Sequence, residues 1–221
     1  MSDTEHTTPS AAADTDGATP VRKRPKPGER RGQILQALAT MLEQPGAERV
    51  TTAALAARLD VSEAALYRHF ASKAQMFEGL IEFIEQTVFS LVNQIIEREA
   101  ASGASPSEMG VRQVTRIVGM LMQFGEKNPG MTRVMVGDAL VYENERLQQR
   151  MNQFFDKIEA TFKQCLRPVA EASGSASPTV DAQVRASVLT AFAAGRLQRF
   201  ARSGFKRAPS EQLDLSLQQI L

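Results

Sequence analysis

Three helix starts crowd between Thr51 and Ser72, and they restrict this chain more than any other feature. Thr51 caps a short helix over 52–58, with Val50 and Leu55 placed as its hydrophobic staple. Ser62 caps a second over 63–69, with Val61 and Leu66 as the staple, and Ser72 opens a third, with Gln75 completing a capping box. The first two are joined only by Leu59-Asp60-Val61, which gives them the dimensions of a helix-turn-helix. Ala54, Leu55, Leu59, Val61, Ala65 and Leu66 pack such a pair together. That leaves Glu63, Ala64, Tyr67, Arg68 and His69 facing outward, where a recognition helix meets base edges in the major groove. Thr51, Thr52, Ser62 and Lys73 stand at helix starts, whose free N–H groups and dipole favour phosphate. A structural helical hairpin with ordinary surface charges fits the same spacing.

The remaining pattern is helical almost throughout. Ile34, Leu35, Leu38, Met41 and Leu42 line one face of a helix starting near residue 29, which Gln44-Pro45-Gly46 stops. A long helix follows from Lys73 to about Ala101, with Met76, Leu80, Ile84, Leu91 and Ile95 clustered and Phe83 well off that centre. Ser105 caps the next, with Pro106 at its first position and Glu108 completing a capping box; Gly125 to Gly130 ends it. Leu140, Leu147, Met151, Phe154, Ile158, Phe162 and Cys165 form a heptad-like seam. Residues 170–178 read as a flexible connector. An eighth helix then runs through Val184, Val188, Leu189, Phe192, Leu197 and Phe200, with Ala191, Ala193, Ala194 and Gly195 permitting close helix approach, and Ser210 caps a last one to Leu221. No segment alternates with period two, so the predicted class is all-α: a tail with a basic arm over 1–28, a three-helix unit over 29–72, and a helical domain over 73–221.

Composition narrows the chemistry. The 221 residues carry 26 Lys+Arg against 25 Asp+Glu, so the chain is not broadly basic. The balance hides a local asymmetry. Residues 1–21 hold Asp3, Glu5, Asp14 and Asp16 among Ser, Thr, Ala and Pro and predict a disordered acidic tail. Arg22, Lys23, Arg24, Lys26, Arg30 and Arg31 against Glu29 then make a basic arm, suited to a polyanion. Between residues 28 and 80, six basic side chains face six acidic ones, so affinity for DNA would rest on placed contacts plus the arm. One cysteine, Cys165, cannot form an internal disulfide, and no apolar run approaches the ~18 residues of a membrane span. These predict a soluble intracellular protein. His6 and His69 lie far from each other and from Cys165, so no metal cluster stands out, and no catalytic constellation or phosphate-cradling glycine loop does either; no enzyme activity and no cofactor are expected.

The run from Thr51 to Phe70, then Ser72-Lys73, resembles the DNA-binding domain of the TetR family. The carriers are Leu55-Ala56 before the turn, Val61-Ser62 entering the recognition helix, Leu66-Tyr67-Arg68-His69-Phe70 and Ser72-Lys73. Asp60 stands where that family usually has Gly, and Asp tolerates left-handed backbone better than most residues.

The resemblance continues through Leu80 to Glu85, Phe124 to Arg133, Arg146 to Phe155 and Ile158-Glu159-Ala160, and is then similar to the nucleoid occlusion members of that family. It implies a homodimer on palindromic double-stranded DNA, about one helical turn between the two recognition helices, opposing assembly of the division protein FtsZ over the nucleoid while DNA-bound. It also implies that the FtsZ surface lies along the helix of Phe83 and the next. Phe83, Met120, Lys127 and Asn128 are the candidate partner contacts there, although Phe83 and Met120 also suit the core and Lys127 and Asn128 a solvated helix end. Leu91 stands where the resemblance implies a basic residue. The final long helices are the implied dimer elements, and packing within one chain is the alternative. No small-molecule ligand is expected, against the alternative of a ligand-responsive repressor.

Overall fold

The computed structural model describes residues 28–44 and 50–221. The acidic tail and arm residues 22–27 lie outside them. Among the described residues the fold is all-α and holds no strand. Its helices are α1 (Glu29–Leu42), α2 (Thr52–Arg58), α3 (Glu63–Tyr67), α4 (Lys73–Ala100), α5 (Pro106–Lys127), α6 (Pro129–Met135), α7 (Glu145–Ala172), α8 (Pro178–Arg202) and α9 (Leu213–Ile220). A 3-10 turn over Asp138–Leu140 precedes α7.

The caps explain most of these boundaries. Thr51 and Ser62 accept the N–H groups of Ala54 and Ala65 at 3.1 and 3.3 Å. At Ser105 both halves of the capping box form, and Glu108 Oε2 accepts the Ser105 N–H. The box expected at Ser72 forms only by half. Ser72 accepts the Gln75 N–H, but the Gln75 side chain reaches back one residue further, to the N–H of Ala71.

A continuous apolar core runs from α1 to α9. Ile34, Leu38 and Leu42 of α1, Leu55 of α2 and Leu66 of α3 are buried in it together with Phe70, Phe77 and Leu80. Each fully buried side chain of that size contributes about 2 kcal/mol. The seam of α7 is buried as expected from Leu147 to Cys165, packed between α5 and α8. At one crossing, a Cβ on Gly110 of α5 would come within 2.1 Å of the Cys165 carbonyl, so only glycine allows this approach.

Several expectations require correction. The recognition helix ends at Tyr67, so Arg68 and His69 lie in the turn after it. The first helix does hold Arg30 and Arg31, as the start expected near residue 29 requires. In α4 the buried stripe follows the i, i+4 row through Leu80, Ile84, Val88 and Val92, which winds around the helix and leaves Leu91 and Ile95 half-buried. Gly125 to Lys127 belong to α5, Leu140 precedes α7, and Ala170 to Ala172 complete α7. Val184 and Val188 face outward, whereas Ala182, Ala186, Leu189 and Ala193 carry the buried face of α8. Ser210 does not cap α9: its hydroxyl and N–H both bond to the Glu126 carboxylate, and α9 begins after Gln212, which is left-handed at φ 50°.

Candidate nucleic-acid interface

On the exposed face of the helix-turn-helix the first turns of α2 and α3 lie side by side. Asp60 adopts φ 53° in the turn between α2 and α3, the left-handed backbone that the resemblance required there. On α3, Leu66 is buried and Ala65 half-buried, while Glu63, Ala64 and Tyr67 are exposed; Arg68 is exposed just beyond. Tyr67 keeps 45% of its surface, large for an aromatic with no interior role. Thr51 and Ser62 are exposed caps of α2 and α3. Thr52 is half-buried and donates its hydroxyl to Glu63 Oε2 at 2.5 Å, so the first turns of α2 and α3 are tied by two of the predicted DNA contacts.

His69 is half-buried, and its carbonyl accepts from Arg31 Nη1 at 2.6 Å. The same guanidinium lies 4.1 Å from the centroid of the Phe70 ring. Arg31 therefore clamps the exit of the recognition helix to α1. Reading it only as one charge of an arm missed this, because nothing in the local spacing pairs it with a residue so far along the chain.

Lys73 begins α4 and forms an ion pair with Glu143, the residue before the cap of α7. Its ammonium also lies 5.7 Å from the Phe77 ring centroid. Glu143 is another contact that sequence periodicity did not reveal. A further tie joins α4 to α7 itself: Arg150 of α7 grips Glu85 of α4 with two nitrogens, at 2.6 and 3.3 Å, which holds its guanidinium above its ordinary pKa, chiefly through that hydrogen bond.

The predicted partner residues sit on the adjacent hairpin. Phe83 is 46% exposed on α4. Helices α4 and α5 run antiparallel across a short connection, and Gln113 of α5 donates to the Ile96 carbonyl of α4. With equal rise per residue in both helices, that register brings Phe83 level with the last turn of α5. Lys127 is exposed there. Asn128 is half-buried, its amide donating to the Phe124 carbonyl at 2.8 Å. Met120 is half-buried and packs on the core, level with a point higher on α4.

Among the described residues no group of histidine, cysteine or acidic side chains could hold a metal ion, and no helix is long and apolar enough to cross a membrane. Cys165 is buried, and that desolvation pushes its thiol up to about 11, outside the reactive range.

Comparison with known proteins fits this geometry. Residues 34–80 match the bacterial regulatory proteins of the TetR family, and residues 109–221 match the tetracyclin repressor-like C-terminal domain of the SlmA-like type. The chain is 49% identical over 191 residues to the nucleoid occlusion factor SlmA of Aliivibrio fischeri, covering 86% of this chain and 93% of the relative. It is 47% identical over 186 residues to that of Vibrio cholerae, covering 84% and 90%. Among solved structures, a TetR-family transcriptional regulator from Bordetella parapertussis aligns with a TM-score of 0.66 at 15% identity, over 88% of this chain and 95% of that one. FadR from Bacillus subtilis, in complex with stearoyl-CoA, gives 0.65 at 13% identity, over 86% and 96%. These distant structures share the fold, and the matched families are regulators rather than enzymes. The chain belongs to the SlmA nucleoid occlusion factors, a branch of the TetR family of helix-turn-helix regulators.

Proposed function

We propose that this chain is a homodimer that binds palindromic double-stranded DNA through α2 and α3 and, while bound, antagonises FtsZ assembly over the nucleoid. The observation that carries this reading is near-half identity to SlmA over almost the full length of both chains. The exposed Glu63, Ala64, Tyr67 and Arg68 supply the base-reading face, and the capped starts at Thr51, Thr52, Ser62 and Lys73 supply phosphate contacts, with His69 at the edge. A stripe of Val180, Val184 and Val188, 60%, 58% and 49% exposed, lies on one side of α8 beside exposed Ala191, and suits burial against a second copy. The exposed Phe83 with Lys127 and Asn128 supports a partner surface on α4 and α5, and Met120 would line its upper end.

Chromatin immunoprecipitation tests the reading. Many palindromic sites across the chromosome, depleted near the replication terminus, together with operator-dependent loss of FtsZ polymer in sedimentation, are the expected result. One or two sites beside the protein's own gene, with FtsZ assembly unaffected, would overturn it. That outcome would favour a second reading, a ligand-responsive repressor. Two neighbours of the same fold hold stearoyl-CoA and lauroyl-CoA, so the expectation of a ligand-free chain draws no support from the comparison.

A further inference from the structure

We propose that the arginine-rich end of α8 is a second contact surface for the phosphate backbone of the same DNA; this rests on the DNA-binding reading above. Arg196, Arg199 and Arg202 recur every third residue along the last turns of α8, and Lys206 and Arg207 follow in the turn to α9. Like charges at this spacing repel. The helix dipole favours cations in the final turn, which accounts for Arg199 and Arg202, but not for Lys206 and Arg207 beyond the helix.

Arg196 is consumed by the fold: it donates to the carbonyls of Pro209 and Glu211 and to the Ser216 hydroxyl, and stacks over Phe192. The side chains of Arg199, Arg202, Lys206 and Arg207 have no such partner among the described residues. Arg199 and Arg207 line two adjoining open clefts of about 220 and 440 Å³, and Glu211 is the one carboxylate among the residues lining either. A shared, open, cationic groove fits a run of phosphates better than it fits one enclosed ligand.

Its place in the fold points to DNA. Arg133 of α6 donates to the Gln44 carbonyl at the end of α1, and the same guanidinium lies 5.1 Å from the centroid of Phe205, in the turn after α8. One arginine thus bridges the helix-turn-helix unit and the segment between Arg202 and Arg207. The cluster lies at the end of the C-terminal helices that meets α1 through α6.

The test uses the full-length protein and a duplex recovered by immunoprecipitation, with affinity read by fluorescence anisotropy across a salt series. Arg199 and Arg207 are exposed, so R199Q/R207Q should keep the wild-type melting temperature and dimer mass. Removing one cation from a phosphate lowers the salt slope by about 0.9, so the slope of the doubly substituted dimer should fall by about 3 to 4, with binding roughly ten-fold or more weaker at physiological salt. Wild-type slope and affinity would overturn the proposal. So would stabilisation of the wild type alone by inorganic pyrophosphate with DNA binding unchanged, which would make the groove a small-anion site. Tyr67→Ala in the same assay separates the two levels. A wild-type protein that binds no duplex fails the underlying reading, whereas weakened Tyr67→Ala beside unchanged arginine variants fails only this inference.

Discussion

Gly130, in the first turn of α6, lies so close to α1 that a Cβ there would come within 1.9 Å of the Ala39 carbonyl oxygen. This contact docks the helix-turn-helix unit on the C-terminal helices, and the Arg133 bond to Gln44 lies beside it. The obstruction is backbone, which cannot swing aside as a side chain would. Gly130→Ala should therefore push α1 and α6 apart and destabilise the fold by about 1–3 kcal/mol, as overpacking typically does. Denaturant unfolding checks the stability, and a wild-type midpoint would show that the two helices tolerate separation.

Lys73 has a partner in the fold and a place in the proposed DNA contact. Its ammonium pairs with the largely buried Glu143 and also stands at the start of α4, where phosphate would approach. Glu143→Gln should leave the lysine free and raise DNA affinity by roughly two- to five-fold at low salt. Lys73→Ala should weaken DNA binding and also lower the melting temperature, because it strands the Glu143 carboxylate. Anisotropy and thermal melts on both variants decide the matter; unchanged affinity in both would assign Lys73 to the fold alone.

Tyr67 and Phe83 are both large and about half exposed, yet they belong to different surfaces. Tyr67→Ala should reduce DNA affinity with little change in melting temperature. Phe83→Ala should leave DNA affinity and dimer mass unchanged while reducing antagonism of FtsZ polymer in sedimentation. Loss of the dimer in Phe83→Ala would instead place that ring in a subunit contact.

The valine stripe of α8 gives a direct oligomer test. Val184→Asp together with Val188→Asp adds two charges to a surface that is already outside the chain's own core. Light scattering should show a monomer of wild-type helicity, with much weaker binding to a palindrome because the two half-sites no longer act as one. A stable dimer would move the interface elsewhere.

Cys165 gives a pH signature. Its folded thiol titrates at about 11, above the ordinary value of 9.0, because burial disfavours the thiolate. The stabilising contribution is complete below pH 9 and is lost as pH rises through 11, since the unfolded chain releases its proton first. The wild type should lose stability more steeply than Cys165→Ala between those values in chemical denaturation, and iodoacetamide at pH 8 should label the unfolded but not the folded protein. Equal slopes in the two proteins would show that the thiol is solvated.

Short-range chemistry made the first part of the fold readable from sequence. Thr51, Ser62, Ser105 and Glu108 act within three residues of themselves, and Asp60 within a single turn, so their spacing alone places α2, α3 and α5. The same run of residues carries the family resemblance, which brought with it the DNA face that periodicity left open between a binding unit and a plain hairpin. Apolar spacing also identified α7, whose seam is buried.

Tertiary structure decided what depends on partners far along the chain. Periodicity says which side chains share a face, but not what the face meets, so Val184 and Val188 could be read as core although the neighbouring residues of α8 took that role. Ser210 looked like a cap until Glu126, 84 residues away, took its hydroxyl. Lys73 and Glu143 are 70 residues apart, and Arg31 and His69 are 38. No local pattern encodes such pairs, because they form only when the hydrophobic core has fixed the helices against one another. The groove between Arg199 and Arg207 arises in the same way, from a turn that folds back beside its own helix.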